Sequence, residues 1–139
     1  MLENKDYCDY DTCVALAELG ITYCDLNFYV KGDKDTLCHN ILQYLTIRTA
    51  EALNYVLAIP LYVAQKFLRE EKGIGITIFH HYYHDTGEMW YMVELYNTKH
   101  WLKTFGEFEE WTQALSEGIK EAIEILKENG CGKGSNTCQ

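Results

Sequence analysis

The chain has 139 residues, with 12 Lys and Arg against 21 Asp and Glu; the resulting net charge of −9 repels phosphate backbones and anionic headgroups, which disfavours nucleic acid and a membrane as partners. Apolar residues make up 47% and aromatic residues 14%, with one proline, which excludes a disordered chain because so much apolar surface offsets the entropy lost on folding. The length predicts a single domain over 1–129 with a flexible tail over 130–139.

The opening Met1-Leu2-Glu3-Asn4-Lys5-Asp6 lacks the basic start and apolar run of a secretory signal, so the expected location is the cytoplasm. Asp11 before Thr12–Leu19, with Gly20 after, predicts a short capped helix. Ile21–Val30 then brings β-branched and aromatic residues and ends at Lys31-Gly32-Asp33-Lys34, the pattern of a strand and a turn.

Residues 35–59 carry mixed signals. Ile41, Leu42, Leu45, Ala52, Leu53 and Val56 keep a helical spacing, whereas Thr46, Ile47 and Thr49 favour extended chain; the balance predicts a helix over about 40–57. Gln43, Arg48, Glu51 and Asn54 make this window too polar to span a bilayer. Pro60 suits the first turn of a new helix, whose apolar face is Leu61, Ala64, Phe67 and Leu68 and whose stop is Gly73.

Ile74, Ile76 and Ile78 alternate with Gly75 and Thr77, and the run continues to His84, so a strand follows. Asp85-Thr86-Gly87-Glu88 closes a hairpin into Met89–Tyr96, and His100–Phe105 adds a third short strand. A last helix over about 110–129 presents Trp111, Leu115, Ile119, Ala122, Ile123 and Leu126 as its apolar stripe. The predicted class is α+β: an antiparallel sheet with helices mainly on one face, ending in a helix-strand-strand-strand-helix unit. That order also occurs in double-stranded RNA-binding domains, but residues 107–128 hold seven Glu and two Lys, where such domains need lysines for phosphates.

This series of elements resembles small uncharacterised accessory proteins of gut-bacterial phages and mobile elements. The residues that carry the likeness are Leu16–Gly20, Leu68-Arg69-Glu70-Glu71-Lys72-Gly73-Ile74, Met89-Trp90-Tyr91-Met92-Val93-Glu94-Leu95, and Glu110 through Ala122. They are helix stops and core stripes. The resemblance implies an accessory role, and it brings neither an activity nor site residues.

No catalytic constellation is complete. His80 and His84 share a strand face but stand roughly 13 Å apart, too far to ligate one metal. Asp85-Thr86-Gly87 matches the aspartic-protease tripeptide in a single copy, where that chemistry needs two carboxylates. Gly130-Cys131-Gly132-Lys133-Gly134-Ser135 echoes a phosphate-binding loop but follows a helix instead of a strand. Cys13, in the first turn of its helix, is the best-placed thiol, and a small buried hydrophobe is its simpler role. The six cysteines read as reduced thiols without zinc-type spacing, and no metal, catalytic residue or other cofactor is expected.

The aromatic pattern is more informative. If Ile74, Ile76 and Ile78 face the helices together with Tyr91, Val93 and Leu95, the opposite sheet face carries Phe79, His81, Tyr83, Trp90, Met92, Glu94 and Tyr96. These seven are the candidate binding residues. The leading expectation is a non-enzymatic interaction module that uses this face for a protein partner or for self-association. The alternative is a small-molecule or nucleotide binder in which the rings stack on a flat ligand while His81 or Glu94 orients it. A hydrolase pairing His81 or His84 with Glu94 ranks third.

Overall fold

The structure, a computed structural model, describes residues 3–40 and 42–129. Helices and antiparallel strands both contribute, so the α+β class holds, and the chain forms two compact units that meet in sequence between Pro60 and Leu61. The tail expected over 130–139 and the phosphate-loop echo within it lie outside the described residues.

In the first unit, helix α1 spans Tyr10–Glu18. Its N-cap is Asp9 and not the expected Asp11: an Asp9 carboxylate oxygen accepts the Thr12 N–H at 2.9 Å, whereas Asp11 sits inside the first turn and pairs with Lys34 at 3.0 Å. The expected strand over 21–30 is broken into β1 (Cys24–Asp25) and β2 (Asn27–Val30). The break has a local cause, because Asp25 Oδ1 accepts the N–H groups of Leu26 and Asn27 at 2.6 and 3.3 Å, which favours a turn over a continuous ladder.

The long helix expected over 40–57 does not form. That stretch instead holds β4 (Leu45–Thr46), the six-residue α2 (Ile47–Ala52) and β5 (Tyr55–Leu57), preceded by β3 (Leu37–His39). Thr46 caps α2 by accepting the Thr49 N–H at 3.1 Å, and Asn54 turns the chain out of the helix at φ +65°. Leu42 is 88% exposed and Leu53 49%, so those members of the supposed stripe never reached a core. β2 is the centre of an antiparallel β3-β2-β5 sheet, and Phe28, Leu45, Ala50 and Leu57 form a core with Tyr55 stacked on Phe28 at 4.0 Å.

In the second unit, helix α3 (Leu61–Glu71) buries Leu61, Ala64, Phe67 and Leu68 and stops at Gly73. Strands β6 (Gly75–Tyr83), β7 (Glu88–Tyr96) and β8 (Trp101–Phe108) form an antiparallel meander, and α4 (Trp111–Glu128) crosses one face of it. Gly118 permits the close approach, since a Cβ there would come within 2.9 Å of Ile76 and 3.0 Å of Val93. Ala114, Leu115, Ile119, Ala122, Ile123 and Leu126 are buried, but Trp111, expected in the same stripe, is 45% exposed because it opens the helix. Helix α3 packs on α4 and on β6, so both helices lie on one side of this sheet.

Candidate functional site

Alternation along the strands sends residues in turn toward α4 and away from it. The pairings Thr77 with Glu94, Phe79 with Met92, His81 with Trp90 and Tyr83 with Glu88 align the outward positions of β6 and β7. Phe79, His81, Tyr83, Trp90, Met92, Glu94 and Tyr96 therefore share the face turned away from α4. β8 extends it with Thr104 opposite Glu94 and Trp101 opposite Tyr96. His81 and Tyr96 are exposed, and the other five are half-buried. Val93 and Leu95, on the helix side, have no exposure at all.

Hydrogen bonds hold several of the rings. Trp90 Nε1 donates to Glu88 at 2.9 Å, and Trp101 Nε1 donates to Thr104 at 2.7 Å. The Tyr83 hydroxyl donates to Glu107, and this bond, followed by partial burial and the charges of Glu107 and Glu88, pushes its pKa above the ordinary tyrosine value. His81 meets the Tyr83 ring edge-on at 4.5 Å. The Tyr96 ring occupies the space over Gly75, where any Cβ would collide with it. The Glu94 carboxylate makes no hydrogen bond or ion pair with another described residue, although it sits half-buried on the central strand.

Glu88, Glu107, Thr104 and Trp101 belong to this face but were missed as site residues. Glu88 was detectable, because it lies two positions before Trp90 and so shares its side. Glu107 was not, because the β7–β8 pairing slips between Tyr91 and Val93 near Gly106 and breaks simple alternation.

The other motifs separate. His80 points to the opposite face and stacks on Tyr91 at 4.2 Å, while His84 lies beyond β6 against Tyr82 at 4.9 Å. His81 and Glu94 are four pairs apart in the register, roughly 13 Å along the strand, so the acid–base pair is not assembled. Asp85-Thr86-Gly87 is the hairpin turn, with the Thr86 hydroxyl accepting the Glu88 N–H at 3.2 Å. Cys13 has no exposure; its thiol donates to the Cys8 carbonyl at 3.6 Å and accepts the Ile59 N–H at 3.4 Å, a packing role. Among the described residues, no group of three His, Cys, Asp or Glu side chains is gathered to hold a metal ion, and no helix is long and apolar enough to cross a membrane.

The first unit has a hollow of its own. It measures about 220 Å³, and its walls include Val14, Ile47 and Leu57 together with the charged Glu18, Lys31 and Glu51. No family model, curated protein or solved structure matches the chain.

Proposed function

We propose that the chain is a non-enzymatic interaction module, acting in the cytoplasm, that docks a protein partner or a second copy of itself on the outward face of β6–β7–β8. The observation that carries this reading is the contrast in solvent exposure where α4 crosses the sheet: Ile76, Val93 and Leu95 are buried beneath the helix while the seven ring-rich neighbouring positions of the opposite face stay unburied, and only at the hairpin end, at His80, Tyr82 and Met89, is the helix side exposed as well. Large aromatic side chains left partly in water cost hydration free energy that a partner recovers, and their few rotatable bonds make them economical anchors. Hydrogen bonds to Glu88, Glu107 and Thr104 fix three of the rings before any partner arrives, which lowers the ordering cost of binding. The resemblance in caps and core stripes supports placing such a module among phage or mobile-element accessory factors.

A photo-crosslinking side chain at Trp90, compared with one at Glu124 on the exposed side of α4, tests the reading in the cells that express the protein. A discrete adduct from position 90 alone is the expected result, and its mass separates a second copy from another protein. Equal labelling from both positions, or none from position 90, overturns the proposal.

A second reading, small-ligand binding, is favoured by the hollow in the first unit. Its volume of about 220 Å³ lies below the usual range of drug-sized pockets, so it suits a small metabolite with an apolar body and a charged end. A thermal-shift panel of such metabolites tests this, with Ile47→Trp filling the space as control. A shift of the melting temperature that vanishes in the filled variant supports the reading, and an unmoved melting temperature across the panel removes it.

A further inference from the structure

We propose that the partner brings a cationic segment, with an arginine or lysine seated on Glu94 between the flanking rings of the outward face. This inference rests on the reading of that face as a docking surface and adds the chemistry of its occupant.

Glu94 is the key residue. It stands on the central strand with Thr77 on one side and Thr104 on the other, half-buried and with its carboxylate without a partner among the described residues. A carboxylate in that position has given up part of its hydration with no compensating bond, so a guanidinium or ammonium group gains more there than at an ordinary surface acid. Tyr96 lies two residues along the same strand and Trp101 is its pairing partner, so Glu94 has aromatic neighbours on this face.

The charge pattern of the whole face agrees. β6 and β7 contain no Lys or Arg, and the one in β8, Lys103, is bound to Glu121 of α4 at 2.8 Å on the other side of the sheet. The outward positions thus offer Glu88, Glu94 and Glu107 among aromatic rings, and among the described residues none of the three forms an ion pair with a Lys or Arg. A second copy is a poor occupant, because a two-fold contact would set this acidic surface against itself in a molecule of net charge −9. A nucleic acid or an anionic bilayer meets the same repulsion. A basic segment of another protein does not.

Calorimetric titration of the full chain with a short peptide alternating valine and arginine tests the assignment, with the same peptide carrying citrulline in place of arginine as neutral comparison. The arginine peptide is expected to bind at least about tenfold more tightly than the citrulline one, and to weaken when salt rises from ~0.05 M to ~0.5 M. Glu94→Gln should cost about five- to tenfold, and Glu124→Gln, which removes the same charge from α4, less than about twofold. Equal losses in those two variants, equal binding of both peptides, or no binding of the arginine peptide overturns the cationic assignment. The docking reading is judged separately with Trp90→Ala: equal binding of both peptides that this variant abolishes leaves the face in place and removes only the charge preference. Peptide binding that Trp90→Ala leaves unchanged sinks both.

Discussion

The two faces of the β6–β7–β8 sheet are built from similar residue types, and where α4 lies across the sheet they end in opposite states. On the helix side Val93 and Leu95 have no solvent exposure, and the approach of α4 over Gly118 leaves no room for an added methyl group. On the outward side Phe79, Trp90 and Met92 are comparably apolar yet half-buried. The comparison teaches that hydrophobic content alone does not define a core; an element must lie against it. The helix face should therefore govern stability, and the outward face should govern association.

The strongest way to break that division is Leu95→Ala, which removes a fully buried side chain and should cost about 2–5 kcal/mol in denaturant unfolding. Gly118→Val should cost about 1–3 kcal/mol by forcing α4 off Ile76 and Val93, read as a lower melting temperature. Trp90→Ala, on the outward face, should cost less than about 1 kcal/mol in the same unfolding assay while abolishing partner capture. A loss as large as that of Leu95→Ala would erase the distinction between the faces.

The smallest effect sharpens the picture through pH. Because the Glu107 bond raises the Tyr83 pKa, the folded state holds that proton more tightly than the unfolded chain. Its contribution is complete below the ordinary tyrosine pKa and is lost as pH rises through the folded value. Glu107→Gln should move one tyrosine's ultraviolet titration to lower pH and make the alkaline loss of stability slightly shallower. An unchanged titration would show that the bond does not hold Tyr83.

Legibility in the sequence differs between the units for a physical reason. In the second unit Ile74, Ile76, Val93 and Leu95 repeat with period two over strands of eight or nine residues, and α4 repeats its stripe over 18, so burial itself writes the pattern. The outward set of seven followed from the same alternation. In the first unit the elements are two to six residues long between Cys24 and Leu57, too short to establish a period. There the decisive events are single contacts: the Asp25 carboxylate on two backbone N–H groups, the Thr46–Thr49 cap, and the positive φ of Asn54. Such contacts depend on side-chain geometry that a hydropathy pattern does not encode. The acidic members Glu88 and Glu107 fell between these cases, one within the alternation and the other displaced by the slip near Gly106.

The absence of lysine from β6 and β7 has a consequence for control. Neither strand offers an amine to acetyl transfer or ubiquitin ligation. If the docked cation is a lysine, acetylating it erases the charge that Glu94 answers to, and the complex is then switched from the partner's side.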